Sequence, residues 1–266
     1  MKFLRILPRI ALALAILLII WFLVALFGAK LGMIDKLTAF GTMTVGIGAS
    51  AAMVVAAIAA VALIVSFIVK PRAGWGKALV ALIIPLAVLA GFNQLRATAE
   101  SVPFIYDVTT DPAEAPQFSA DMVRLREQQD ANPLMEFDRP LGTYEKWEGN
   151  ADLADVTSAQ LIAEEYPTLE PLQTQNTMAE TMAAVEAAMD DAGITNLTVD
   201  QAAGTVEGTA IVFWYGFEDD VIARIRQTPA GSQVDFRSTS RLGTSDLGVN
   251  AQRIAELRED VAARLD

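Results

Sequence analysis

Three stretches of this chain contain no charged side chain: Ile10–Gly28 (IALALAILLIIWFLVALFG), Met43–Val69 and Ala78–Phe92 (ALVALIIPLAVLAGF). An apolar run of about 20 residues matches the thickness of a bilayer's hydrocarbon core. The first two runs reach that length. The third is shorter and has Pro85 in its middle, so it crosses only if its ends extend, and otherwise it is re-entrant. These runs require a lipid environment and limit the front of the chain to membrane helices, because no other open structure satisfies its backbone in lipid.

Flanking charge orients the helices. Lys2, Arg5 and Arg9 precede the first run, and Lys70, Arg72 and Lys77 separate the second from the third. The intervening loop has Lys30 and Lys36, offset in part by Asp35. The positive-inside tendency places the N-terminus and the 70–77 loop in the cytoplasm and, after three crossings, the C-terminal part on the periplasmic side of an inner membrane. The first run also resembles a signal peptide with a basic n-region, cleavable near Ala29. Its length and the lack of a small-x-small cleavage site favour retention, and cleavage would leave the final topology unchanged.

Charge divides the chain. Residues 1–92 hold 8 Lys/Arg and a single acid, Asp35, whereas residues 93–266 hold 12 basic and 31 acidic residues. The chain therefore reads as a membrane anchor (1–92), an irregular wrapping segment rich in proline (93–172) and a soluble domain (173–266). The acidity of the soluble part argues against nucleic acid as a partner. The bilayer is the partner the sequence demands, and another membrane or envelope protein is the second one it allows. In the second run, Gly48, Ala52, Ala56 and Ala60 recur every four residues, a small-residue stripe suited to close helix packing. Packing against the chain's own helices is the plainer reading, and association with another membrane protein the sharper one.

The soluble part alternates in a readable way. NTMAETMAAVEAAMDDAG is a helix with Met178, Met182, Val185 and Met189 on one face and Gly193 placed to end it. Strand-like runs follow at 194–199, 205–215, 221–227 and 232–238, separated by short turns. A last helix begins near Asn250, an N-cap candidate, and carries Ile254, Leu257, Val261 and Leu265 on one face. The order α-β-β-β-β-α predicts an α+β fold, a two-layer antiparallel sheet domain with both helices on one face. Asp121–Gln129 reads as a short helix within the wrapping segment.

The chain has no cysteine and no histidine. That removes disulfides, thiolate nucleophiles, Cys/His zinc sites and every Ser-His or Cys-His catalytic pair. No cofactor, metal site or catalytic residue is expected, and the domain reads as non-enzymatic. Glu218, Asp219 and Asp220 read as a polar turn between strands rather than as a weak Ca²⁺ site.

The densest chemistry lies in VDFRSTSRLGTSDLGVNAQRI, Val234 to Ile254. Strand alternation puts Arg237 on one face and, in a hairpin with the preceding strand, beside Arg224 and Arg226. Arg241, Ser238, Ser240, Ser245, Asp246, Asn250 and Arg253 follow within a glycine-bearing loop and the start of a helix. Two readings remain open. In one the cluster binds an anion, using guanidinium forks and the free amides before a helix. In the other, and favoured, reading it is a structural clasp in which Asp246 pairs with Arg237, Arg241 or Arg253.

The same residues carry a resemblance. FEDDVIARI followed by RSTSRLGTSDLGVNAQRI is similar to the signature of the bacterial and plastid family called domain of unknown function 1499. The pattern is matched at Phe217, Asp219, Asp220, Arg237, Ser238, Ser240, Arg241, Gly243, Ser245, Asp246, Gly248, Asn250, Arg253 and Ile254. YDVTTDPAEAPQF and EEYPTLEPL resemble the family's earlier segments, so the likeness covers about residues 100–265. It implies a fold and no established activity. Taken together, the sequence reads as an accessory or interaction subunit of a membrane protein complex, with an anion- or lipid-head-group-binding module as the alternative.

Overall fold

The computed structural model describes residues 2–69 and 74–266. Lys70 and Arg72, on which the expected orientation partly rests, lie outside the described residues. The chain forms two units, Met1–Glu100 with Trp214–Gly216 and Ser101–Phe213 with Phe217–Asp266.

The first unit is helical: α1 (Lys2–Lys30), a π-helical stretch (Thr38–Gly48) that runs directly into α2 (Ala49–Ile68), and α3 (Trp75–Glu100). All three spans, Ile6–Lys30, Thr38–Ile68 and Trp75–Glu100, are long and apolar enough to cross a membrane. The third run is one continuous helix despite Pro85. At about 1.5 Å per residue it exceeds the roughly 30 Å hydrocarbon core. Gly48 and Ala52 are buried as the four-residue stripe requires, but Ala56 and Ala60 are only half buried. The buried line continues instead through Val55, Ala59, Ala62 and Ser66. An α-helix turns every 3.6 residues, so a strict step of four drifts off the contact face. Val55, Ala59 and Ala62 pack with Ala11 and Ala15 of α1 and Ala78 and Ala81 of α3, which is the intramolecular use of small residues.

The second unit is α+β. Its antiparallel sheet comprises β1 (Asp107–Thr109), β2 (Leu172–Thr174), β3 (Thr195–Asp200), β4 (Thr205–Ile211), β5 (Glu218–Thr228) and β6 (Gly231–Ser240). The strand order is β1-β6-β5-β4-β3, with β2 also paired to β6. β1 and the first residue of β2 come from the segment read as irregular, 93–172. β1 pairs with β6 around Ser238 and β2 pairs with it around Gln233, so the two share one edge of β6. The same segment supplies α4 (Ala120–Gln128) and α5 (Ser158–Glu165). Strands this short carry too few alternating residues to announce themselves.

α6 (Met178–Asp191) and α7 (Val249–Leu265) cover one sheet face. α6 starts at a Thr177/Glu180 capping box. It ends at Gly193, whose φ of 72° lets the chain reverse while the Gly193 and Ile194 amides donate to Asp190 and Met189 carbonyls. Met182, Val185 and Met189 of α6 and Ile254, Leu257 and Val261 of α7 bury against Val221, Ala223, Ile225, Val234 and Phe236. Alternation puts Ile222 on the opposite face, where it packs with Phe118 and with Met122 of α4. The central strands β5 and β6 are thus covered on both sides, and the second cover comes from the 111–135 segment rather than solvent.

Candidate functional site: arginines on two faces of one strand

Strand β6 distributes the arginine-serine motif by its pleat. Ser238 pairs across from Val221 and Ser240 from Asp219, on the helix-covered face. Arg237 pairs across from Ile222, with Asp235 and Thr239 on the same side, facing α4. The motif therefore serves two clusters separated by the thickness of the sheet.

On the α4 face, Arg237 is 1% exposed and Asp107 fully buried. Arg237 grips Asp107 with two parallel bonds, Nε to Oδ1 at 3.0 Å and Nη2 to Oδ2 at 2.7 Å. Its other donors reach the Pro116 and Met135 carbonyls at 3.1 and 3.2 Å. One end of this face holds Arg241, which donates through Nη2 and Nε to Asp220 at 2.5 and 2.9 Å. Arg126 of α4 donates to the same carboxylate at 2.5 Å, and the Thr209 hydroxyl adds a bond at 3.1 Å. Burial opposes the charge of Arg241, but the Asp220 and Glu218 carboxylates more than offset it, and its pKa is raised. At the other end, Arg224 donates to the buried Asp235 at 2.8 Å, and Arg226 approaches Asp235 and Glu114 at 2.9 and 2.5 Å. Arg224, Arg226 and Arg237 do share a face, and each has a carboxylate of this chain. Bidentate guanidinium–carboxylate geometry of this kind is the strongest form of the contact.

On the helix face, Arg253 of α7 donates to Asp219 at 2.7 Å and to the Ser238 hydroxyl at 2.8 Å. Asn250 is at the centre. It accepts from Ser238 at 2.7 Å and donates to Ser240 at 3.1 Å and to the Tyr106 carbonyl at 3.0 Å. Asn250 is not the N-cap: α7 is capped by Gly248, at φ 82°, and Asn250 lies one residue inside the helix, fully buried. Its side chain ties α7 to β6 and to the entry of β1 instead of capping the helix.

Asp246 also differs from expectation. The expected ion pair with Arg237, Arg241 or Arg253 is replaced by backbone capping: its carboxylate accepts from the Gly248 and Asn250 amides at 2.8 and 3.2 Å. The position before α7 that would attract an anion is occupied by the chain's own carboxylate. Ser245 supports the same turn by accepting from the Leu247 amide at 3.2 Å. Burial raises the pKa of Asp246 to about 6, with Asp219 adding to the rise and the Gly248 amide opposing it. A folded-state pKa raised above the unfolded value means that this group's contribution is fully present at low pH and is lost as pH rises through about 6. A rise of about two units is worth about 3 kcal/mol. We expect Asp246→Asn to raise domain stability at pH 8 and to approach wild type near pH 4. Denaturant unfolding of both proteins across that range checks this, and a pH-independent difference between them would contradict it.

Asp219 and Asp220 were expected in a polar turn. They are the buried start of β5, 2% and 0% exposed, and they point to opposite faces, each to an arginine. Among the described residues, no group of three acidic side chains is arranged to hold a metal ion. Residue types alone did not mark Asp107, Arg126 or Asp235, which complete the clusters. Asp107 sits inside the YDVTTD segment that carried part of the family likeness, the one sequence signal available for it. A groove of about 470 Å³ opens between α6, α7 and the end of β4, and of the arginine-cluster residues only Arg253 lines it.

The fold and these clusters define an α+β domain internally cross-braced by ion pairs, in a chain with three helices able to cross a membrane. The model of the family described as protein of unknown function (DUF1499) matches residues 107–261, and the chain belongs to that family. No curated protein and no solved structure matches it.

Proposed function

We propose that this protein is a membrane-anchored, non-catalytic accessory subunit. In this reading its helices hold the sheet domain on the periplasmic side of an inner membrane, where the domain binds or stabilises another envelope protein. The observation that carries it is the state of the arginines. Arg224, Arg226, Arg237, Arg241 and Arg253 each engage a carboxylate of the same chain. A cluster whose forks are already matched supports rigidity of the domain rather than capture of a phosphate or a lipid head group. The absence of histidine and cysteine from the sequence points the same way. The orientation rests on Lys2, Arg5 and Arg9 before the first apolar run at Ile10, together with the odd number of candidate spans among the described residues.

Two measurements test this reading. Added inorganic phosphate, or anionic lipid in the detergent micelle, should leave the unfolding midpoint of the sheet domain unchanged, because a ligand stabilises only the state that binds it. Saturable stabilisation by either would favour the anion-binding alternative. A reporter fused after Asp266 should be active only outside the cytoplasm, and cytoplasmic activity would overturn the orientation.

A further inference from the structure

The turn between β4 and β5 is out of character with the sheet domain on either side of it. Ile211 to Phe217 reads IVFWYGF and contains no charged residue, inside a soluble part with 31 acids. Ile211, Phe213 and Trp214 are 58%, 70% and 62% exposed. Among the described residues after Glu100, the only other large hydrophobic side chain this exposed is Phe104 at 43%. Scattered single apolar residues on a surface need no explanation, but a contiguous aromatic turn does. The turns at the opposite end of the sheet, 201–204 and 229–230, hold no aromatic residue.

Position adds to composition. Asp107 of β1 pairs with Thr239, Thr239 with Asp220, and Asp220 with Thr209, so these residues form one row across the sheet. The β4–β5 turn begins just beyond that row. The chain enters the sheet at Asp107, seven residues after α3 ends at Glu100. Seven residues reach at most about 25 Å, so the connection from α3 joins the end of the sheet that carries the aromatic turn. Phe104 belongs to that connection.

From these observations we infer that the β4–β5 turn is a second membrane contact, inserting Phe213 and Trp214 into the interfacial region of the phospholipid bilayer. This rests on the reading that the helices anchor the chain. Tryptophan and phenylalanine suit that layer, where large rings leave water without entering the hydrocarbon centre. The contact is apolar for a physical reason. A domain this acidic is repelled by anionic lipid surfaces, and only an uncharged wedge on it can approach them. The insertion therefore persists at high and low salt alike. It also gives the sheet domain a second point of attachment to the membrane besides its chain connection to α3.

The lack of any native cysteine makes the test clean. Full-length protein carrying Phe213→Cys, Trp214→Cys or, as a reference in the exposed β3–β4 turn, Ala202→Cys is labelled with an environment-sensitive fluorophore and reconstituted into phosphatidylcholine vesicles. Flotation of the chain with the vesicles tests anchoring separately; a chain that does not float overturns both the anchoring and this inference. With anchoring established, labels at positions 213 and 214 should be quenched several-fold more by spin-labelled lipid than the label at 202, and several-fold less by iodide. Iodide quenching equal to that at 202 would overturn the insertion. Shielding from both quenchers would also overturn it and would indicate a protein partner on the turn. If one substitution impairs folding, the other gives the same reading.

Discussion

Replacing Arg237 by alanine is expected to destabilise the sheet domain by about 3–5 kcal/mol, the cost of removing one partner from a buried ion pair. Asp107 would be left charged and fully buried, with the Met135 amide at 3.0 Å as its remaining hydrogen-bond donor. Asp107→Ala should cost a similar amount, because it strands the guanidinium. The double variant should be little worse than either single one, since the second change removes a charge that the first had orphaned. A paired replacement, Arg237→Met with Asp107→Leu, should be close to neutral, because two apolar side chains escape the desolvation cost that the ion pair bears. Urea unfolding of the sheet domain in detergent-solubilised full-length protein, followed by pulse proteolysis, provides the measurement. An Arg237→Ala domain as stable as wild type would reject the bracing role. If phosphate also stabilised wild type but not that variant, the cluster would be an anion site.

Asp220→Ala should be at least as damaging, again about 3–5 kcal/mol or more, because one carboxylate serves two buried guanidiniums. Arg126 and Arg241 are 4% and 5% exposed, and Thr209 would lose its acceptor as well. Arg241 keeps Glu218 at 3.2 Å, whereas Arg126 keeps the neutral Asn132 carbonyl at 2.7 Å. Adding Arg126→Ala to Asp220→Ala should therefore recover part of the loss. Asp220→Asn should fall between wild type and Asp220→Ala, since the amide oxygen still accepts from Thr209. A loss below about 1 kcal/mol for Asp220→Ala would place the pair among exposed surface bridges in energy and contradict its burial.

These expectations depend on partners that the linear sequence conceals in one way and discloses in another. Alternation along β5 and β6 was enough to bring Arg224, Arg226 and Arg237 to one face, because the pleat has period two whatever surrounds it. It could not show what covers that face. The covering residues, Asp107, Asp111, Glu114 and Arg126, come from a segment with little periodicity, more than 90 positions away along the chain. Asp246 shows the limit most plainly. Arg237, Arg241 and Arg253 stand within nine positions of it along the chain, which made an ion pair the natural expectation. Yet the left-handed Gly248 turns its own amide and that of Asn250 onto the Asp246 carboxylate, and that geometry exists only once the loop is folded. The acid pair Asp219–Asp220 looked like a turn because two adjacent charges are rarely buried. A strand sends adjacent side chains to opposite faces, so each acid met a different arginine, Arg253 on one side and Arg241 on the other.

What the sequence by itself determined is what depends on local period and on solvent. Three charge-free runs are too apolar for water, and α6 and α7 carry stripes at helical spacing. The four main strands alternate, and the family signature is written contiguously from Phe217 to Ile254. Only the tertiary structure decided the rest. It recruited β1 and β2 to the free edge of β6 and laid α4 over Ile222. It shifted the packing line of α2 from Ala56 and Ala60 to Val55 and Ala59. It also matched each arginine to its carboxylate. Local elements follow from near neighbours, whose spacing is visible in the chain. Edge pairing and buried ion pairs follow from which distant segments happen to meet, and a buried charge is tolerated only where such a meeting supplies its partner.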